Sequence, residues 1–324
     1  MRFLTRRIGF YLVAAFIAIT LNFLIPRMMT GDPVTLMFAR FQGRLDPRAI
    51  DSLKAAFGFV DGPILQQYLT YWQNLIKGDL GISVSAFPVP VLTVLGTGLG
   101  WTLRLAGTAT IISFIIGTLL GIVAAWRRGK FADSYILPTL SLLGAFPYFF
   151  IAMLALYVFA LNLGWFPLNH ASDINLNQDW GSTEYILSVI HHALLPAFTI
   201  VITSMGGWML GMRNNMIGIL SQDFIVMAQA KGLRDRRVMI TYAARNAILP
   251  SLTGFAISLG FVLAGAFLTE IVFNYPGIGF MLLNAVNSRD YPLMQGIFLM
   301  ITLAVLLANL VVDIIYVLLD PRAR

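Results

Sequence analysis

Six apolar runs alternate with polar segments along this chain, and each run is about as long as a bilayer is thick. A helix needs about 20 mostly apolar residues to cross the hydrocarbon core. The runs fall at residues 8–25, 105–126, 135–161, 194–212, 248–273 and 292–319. The pattern therefore predicts an all-α integral membrane protein with six transmembrane helices.

Composition supports a membrane protein and excludes several other classes. The 324 residues are 58% hydrophobic and 11% charged, with a mean hydropathy of +0.79, which is too apolar for a soluble domain. The chain contains no cysteine, so disulfides, cysteine-based metal sites and thiol catalysis are excluded. Because the net charge of +7 is distributed among the loops, it indicates topology, and we expect no nucleic-acid partner.

The basic residues predict the orientation of the helices, since Lys and Arg collect in cytoplasmic loops. Fourteen of the 22 basic residues lie before the first run, after the last run, or in the segments 127–134 and 213–247. The short connections on the other side contain few. We therefore expect both termini and these two segments to lie in the cytoplasm.

The first run could be a cleaved signal peptide, but no small-x-small cleavage pattern follows it. We interpret it as an uncleaved helix, so that residues 1–100 comprise one span and a long external segment, and residues 101–324 a core of five helices. Within the external segment, Asp46 and Pro47 predict the start of an amphipathic helix that ends near Gly58. Tyr68, Tyr71 and Trp72 are typical of an interfacial aromatic belt.

The longest polar segment between apolar runs, residues 221–250, predicts two short helices at the membrane surface. Ser221 is expected to cap a helix from Gln222 to Ala230, and Gly232 to end it in a left-handed conformation. Asp235 is expected to cap a second helix that runs toward Leu249-Pro250. An ordinary basic cytoplasmic loop with a surface helix would fit this spacing equally well.

Three ordered motifs resemble the permeases of ABC importers, in the branch that carries dipeptides, oligopeptides, nickel or oligosaccharides. They are GDLG-S at 78–83, AQAKGL at 228–233 followed by RNAILP at 245–250, and NYPGIG with SRDYP between 274 and 292. The chain departs from the family's "EAA" pattern at Val226 and Met227. The resemblance implies a type I importer permease with six helices and both termini in the cytoplasm.

In that family the polar segment is a coupling helix that sits in a groove of a separate ATPase. The resemblance assigns this role to seven residues: Val226, Met227, Ala228, Ala230, Lys231, Gly232 and Leu233. A small residue at Ala228 would let the helix seat closely in the groove of the partner.

The resemblance also implies the partners and the location. These partners are a second homologous permease subunit, two ATP-binding subunits or domains, an external solute-binding protein and membrane lipid. ATP and Mg would bind in the ATPases, with no cofactor in this chain. The protein would be a multi-pass component of a prokaryotic cell membrane that moves peptides or similar small solutes by alternating access.

Four further residues are candidates for gating or packing within the membrane: Glu270, Pro147, Gly207 and Gly211. Asp313 is also acidic and near the hydrocarbon, and we expect it to have a structural partner. The histidines at 170, 191 and 192 do not form a convergent set of metal ligands. No Walker, HExxH or G-x-S-x-G motif is present, so we expect no enzyme activity in this chain.

The alternative function is a self-sufficient secondary transporter or channel. Such a protein would need intramembrane ionisable groups or broken helices to couple transport to ions. The sequence offers few of either. Co-isolation with ATPase subunits would distinguish the importer from this alternative.

Overall fold

The structure is a computed structural model that describes residues 2–28, 63–262 and 266–319. Most of these residues are helical, which confirms the all-α prediction. The helices are α1 (Arg2–Met28), α2 (Ile64–Ile76), α3 (Val91–Trp126), α4 (Ala132–Ala145), α5 (Tyr148–Asn162), α6 (Thr183–Leu220), α7 (Asp223–Ala230), α8 (235–262), α9 (Phe267–Val272), α10 (Ile278–Ser288) and α11 (Tyr291–Leu319). The amphipathic helix predicted between Asp46 and Gly58 lies outside the described residues.

Within the described residues, four helices are long and apolar enough to span a membrane: α1, α3, α6 and α11. The pair α4 and α5 makes a fifth span if the two are counted together. The predicted fifth run corresponds to the end of α8 and to α9, on either side of residues 263–265. Six spans and the orientation of the termini therefore stay predictions.

Two of the spans are longer than the apolar runs predict. Helix α3 begins at Val91 instead of Leu105, and α6 covers Thr183–Leu220 instead of 194–212. The extensions contain glycine, threonine, histidine and asparagine, which lower the hydropathy without ending a helix. Part of the segment predicted to be external is therefore the first half of α3.

The third predicted span is broken at its second proline. Helices α4 and α5 meet at an angle of 97°, and Pro147 immediately precedes α5. Proline restricts the residue before it to extended conformations, and Phe146 has a ψ of 142°. Pro138 lies within α4 and does not end it.

The chain divides into two compact units, one formed by residues 1–101 with 276–324 and the other by 102–275. In the first unit α1 packs on α11, where Asn22 donates a 2.7 Å hydrogen bond to the Gln295 carbonyl oxygen. Asp313 accepts a 2.6 Å hydrogen bond from the Tyr11 hydroxyl and pairs with Arg7 at 3.1 Å. The expectation of a structural partner for Asp313 is confirmed. The division at residue 100 into functional regions stays a prediction.

The aromatic residues of α2 pack on α1. Phe23 is 1% exposed, and its ring lies 5.2 Å from that of Tyr68 and 5.5 Å from that of Tyr71. The Tyr68 hydroxyl is 2.7 Å from Thr20 Oγ1. These side chains therefore hold α1 and α2 together. The interpretation as an interfacial belt did not predict this contact.

Asp290 joins two of the sequence motifs within the same unit. Its carboxylate is fully buried and accepts hydrogen bonds from the hydroxyl of Ser83 at 2.5 Å and from the hydroxyl and N–H of Ser85 at 2.8 Å. It also accepts the Leu293 N–H at 3.1 Å, so it caps the N-terminus of α11. The GDLG-S and RDYP motifs are therefore parts of one structural node.

In the second unit, α3 and α6 approach at backbone distance through glycine. A Cβ added at Gly117 would lie 2.7 Å from the Met205 carbonyl oxygen, and one at Gly121 would lie 2.6 Å from that of Met209. Neither distance is possible for a real side chain. Gly117 and Gly121 therefore allow the backbones of α3 and α6 to pack closely.

Helix α4 packs on the same helix α6 in the same way. A Cβ at Gly206 would lie 2.5 Å from the Leu140 carbonyl oxygen, and one at Gly144 would lie 2.8 Å from that of Thr203. A Cβ added at Gly207 or Gly211, the predicted packing residues, would meet no atom of the described residues within 4 Å. The contact within the chain falls one position earlier, on Gly206, because that residue faces α4.

We expect Asp290→Asn to destabilise the protein by about 3 kcal/mol, because the amide NH₂ would face the donors of Ser83 and Ser85 in a buried site. The measurement is the midpoint of thermal unfolding of the purified protein in detergent. Asp79→Asn is the matched control, since Asp79 is an exposed acid that accepts one 2.9 Å hydrogen bond from Gly81 N. Equal decreases in the unfolding midpoint for Asp290→Asn and Asp79→Asn would contradict the role of Asp290 as a buried link between the two motifs.

Candidate functional site

The polar segment forms helix α7, an exposed turn and the start of α8, as predicted in outline. Helix α7 begins at Asp223, and its N-cap residue is Gln222. Ser221, the predicted cap, instead donates a 3.0 Å hydrogen bond to the Gly218 carbonyl oxygen of α6. The predicted cap of α8 is also displaced by one position, since Asp235 is the first helical residue and Arg234 the cap.

The C-terminus of α7 ends in the left-handed glycine that the sequence predicts. Gly232 has a φ of +70°, and its N–H donates to the Gln229 carbonyl oxygen at 2.9 Å. The Leu233 N–H reaches back to the Ala228 carbonyl oxygen at 3.4 Å. This pair of bonds is the Schellman motif, which satisfies two carbonyls at the end of the helix and turns the chain toward α8.

One face of α7 is buried against the rest of its own unit. Ile225 is 1% exposed and Ala228 is 3% exposed. They share a core cluster with Met212 and Met216 of α6 and with Val238 at the start of α8. The expectation that Ala228 seats in the groove of a partner is therefore wrong in its geometry, because the residue is small to fit against α6 and α8.

The opposite face of α7 presents apolar side chains at the surface. Val226 and Met227 are each 59% exposed and Phe224 is 40% exposed. Ala230, Lys231 and Gly232 are exposed as well, and Leu233 is half-buried. Phe224 was missed by the sequence reasoning, although a helical projection places it beside Met227. Exposed apolar groups on a short surface helix are typical of a docking site.

An ion pair fixes the end of α6 that leads into α7. Arg213 Nε lies 2.5 Å from Asp133 Oδ1, and the other oxygen of Asp133 accepts the Gly129 N–H at 2.9 Å. Asp133 lies in the first turn of α4 and is 9% exposed in its side chain. The short loop before α4 is thereby tied to the helix that carries α7.

Glu270 lies in α9 and is completely buried. Thr102, also fully buried in α3, donates a 2.7 Å hydrogen bond to Glu270 Oε1. The Tyr275 N–H donates to the Glu270 carbonyl oxygen at 2.8 Å. Burial raises the pKa of the Tyr275 phenol. A role for Glu270 in gating or in packing stays a prediction.

The neighbouring histidines of α6 have separate partners. His191 Nε2 lies 3.0 Å from the Trp165 carbonyl oxygen, and His192 Nδ1 lies 2.7 Å from that of Ser188. Both contacts are hydrogen bonds donated by the ring to backbone carbonyls. His170 lies in the preceding loop with a φ of 67°.

A chain of span-length helices, one of them broken, with an apolar surface helix between two others, has the form of a membrane transport permease. The family of binding-protein-dependent transport system inner membrane components matches residues 117–324, and the chain belongs to that family. The resemblance found in the sequence is thereby confirmed. The protein is a multi-pass component of the inner membrane.

Full-length relatives agree with this assignment. The di/tripeptide transport system permease protein of Pseudomonas aeruginosa is 34% identical, over 99% of this chain and 98% of the relative. The dipeptide transport system permease protein of Escherichia coli is 33% identical, over 100% and 99%. The oligopeptide transport system permease protein of Bacillus subtilis is 33% identical, over 93% and 92%.

We expect Gly232→Ala to cost about 1 kcal/mol, because a Cβ disfavours the left-handed conformation that ends α7. Gly218→Ala is the matched control, since at neither position would an added Cβ meet an atom of the described part of the chain within 4 Å. Gly218 lies in helix α6 without a positive φ. There alanine is expected to stabilise the helix. Opposite shifts in the unfolding midpoint support the assigned turn, and a neutral Gly232→Ala would contradict it.

Proposed function

We propose that this chain is the permease subunit of an ATP-driven importer that moves peptides into the cell by alternating access, and that α7 is its contact with an ATP-binding partner. The observation that carries the proposal is the division of α7 into a buried face and an exposed apolar face. The buried face fixes the helix to its own chain, and the exposed face is free to bind. The family assignment supports the rest of the assembly.

The exposed residues of α7 define the proposed contact. Val226 and Met227 provide its apolar centre, with Ala230, Lys231 and Gly232 at its C-terminal end. Ala228 and Leu233 act from beneath by holding the helix in place. A partner groove would bury the apolar side chains and gain about 25 cal/mol for each Å² of apolar surface removed from water.

The proposed mechanism requires no covalent chemistry in this chain. ATP-driven closure of two ATP-binding subunits would bring the coupling helices of two homologous permease subunits together. Because the Ile225 and Ala228 face of α7 shares its core with α6 and α8, a displacement of α7 would carry those helices with it. The permease pair would then change from inward-open to outward-open and receive solute from an external binding protein.

Peptides are the proposed cargo. The three relatives described above are named as di/tripeptide, dipeptide and oligopeptide permeases, which favours peptides over the oligosaccharides and nickel complexes that the sequence motifs also allow. Gly207 and Gly211 are exposed, and no described residue packs closely against them. They are therefore proposed to let a helix of the second permease subunit approach α6 closely. Pro147 and Glu270 are proposed to shape the path and its outer end.

Met227→Asp tests the proposed contact. A carboxylate on the exposed face would be buried against the partner, so we expect the fraction of permease that co-purifies with the ATP-binding subunits to fall at least about tenfold. Ile240→Asp is the control, because Ile240 is 48% exposed on α8, outside the contact. Equal losses for the two variants, or none for Met227→Asp, would contradict the assignment of α7.

Single cysteines test the proposed topology, since the native chain has none. Ser221→Cys is expected to react with an impermeant maleimide only after the cells are opened. Gln178→Cys, in the exposed loop between α5 and α6, is expected to react in intact cells. Labelling of Ser221→Cys from outside would overturn the proposed orientation.

A further inference from the structure

The break between α4 and α5 opens a cavity of about 570 Å³ within the 102–275 unit. Phe146, Pro147 and Tyr148 line it at the corner, and residues of α3, α6, α8 and α9 complete its wall. This volume lies in the range of small-molecule binding sites. A broken helix at membrane depth is stable only where protein or an aqueous cavity satisfies the freed backbone groups.

Four of the hydroxyl groups that line this cavity already donate their hydrogen within their own helix. They belong to Thr110, Thr203, Ser204 and Ser258. Each donates at 2.6–2.8 Å to a carbonyl oxygen three or four residues earlier in its own helix. A hydroxyl has one hydrogen and two lone pairs, so these four oxygens present acceptors to a ligand.

The rest of the lining is uncharged. None of the described residues that line the cavity carries a charged side chain, and Phe146, Tyr148 and Phe261 contribute aromatic surface. Thr269 adds a buried hydroxyl that has no hydrogen-bond partner among the described residues. The wall therefore suits a molecule with N–H donors and apolar side groups, and it offers no counter-charge to a bare ion.

We propose that this cavity is a transient binding site for the translocated peptide, whose main-chain N–H groups donate to the hydroxyl oxygens of Thr203, Ser204 and Ser258. The inference rests on the proposed function and adds the location and chemistry of a substrate site. Neutral acceptors hold each N–H weakly, since a single hydrogen bond to an uncharged group contributes little net free energy. Weak binding lets the peptide leave on the cytoplasmic side.

The test is uptake of a radiolabelled dipeptide by the complete importer in proteoliposomes, with loaded binding protein in excess. The triple variant Thr203→Val, Ser204→Ala, Ser258→Ala removes three acceptors, and we expect uptake to fall about tenfold while the ATPase subunits remain bound. Thr253→Val is the control. Thr253 lies on α8 outside the cavity and donates in the same way to Leu249 O at 3.3 Å.

A second substrate separates binding from structural damage. A dipeptide with an N-methylated main-chain amide lacks the amide donor and keeps only its N-terminal ammonium, so the unmodified importer should carry it less well than the parent dipeptide. In the triple variant, the ratio of parent to N-methylated dipeptide uptake should be at least about threefold smaller. A preference unchanged by the triple variant would overturn the proposal, as would uptake equal to that of Thr253→Val, the result expected if lipid fills the cavity.

The same experiment distinguishes failure of the site from failure of the proposed function. If the unmodified importer carries no peptide, the proposed function is wrong and the site falls with it. If it carries peptide and the triple variant is unaffected, only the site is wrong.

Discussion

The contact on which the 102–275 unit depends is the backbone approach of α3 and α4 to α6. Apolar surface gives little association between helices in lipid, so packing relies on small residues that bring backbones together. Gly117 and Gly121 provide this on α3, Gly144 on α4 and Gly206 on α6, each at a distance that leaves no room for a Cβ. Any larger residue at these positions must separate the helices.

This packing makes α6 the element that links the surface helix to the membrane interior. At its C-terminal end α6 leads into α7 and is tied to α4 by Arg213 and Asp133. Farther along, Thr203 and Ser204 of α6 line the cavity at the Pro147 break. A displacement of α7 would therefore reach the cavity through one continuous helix, and through α4, which is held to α6 at backbone distance.

The sequence predicted those features that depend on local conformation. The helical class follows from the length of the apolar runs, and the glycine end of α7 follows from the left-handed conformation that glycine adopts readily. The sequence did not predict which neighbouring helix each residue faces. Gly206 and Gly207 are adjacent and chemically identical, and only the position of α4 decides which of them makes the contact.

The same limit explains the two misplaced helix caps and Ala228. Ser221 and Asp235 are good capping residues, but α6 ends close enough for Ser221 to bond within it, and α8 begins one residue early. Ala228 is small because α6 and α8 lie beneath it, which a motif read as a partner contact does not reveal. Asp290 shows the converse, since two motifs separated by about 200 residues along the chain form one buried node.

Cross-linking from Val226→Cys in the purified importer tests most directly whether α7 joins this chain to an ATP-binding partner. With a short bifunctional reagent we predict an adduct of the permease with the ATP-binding subunit, formed at the expense of peptide uptake. Ile240→Cys, on the neighbouring helix, should give little of this adduct. No adduct from Val226→Cys, or an adduct of equal yield from Ile240→Cys, would contradict the account.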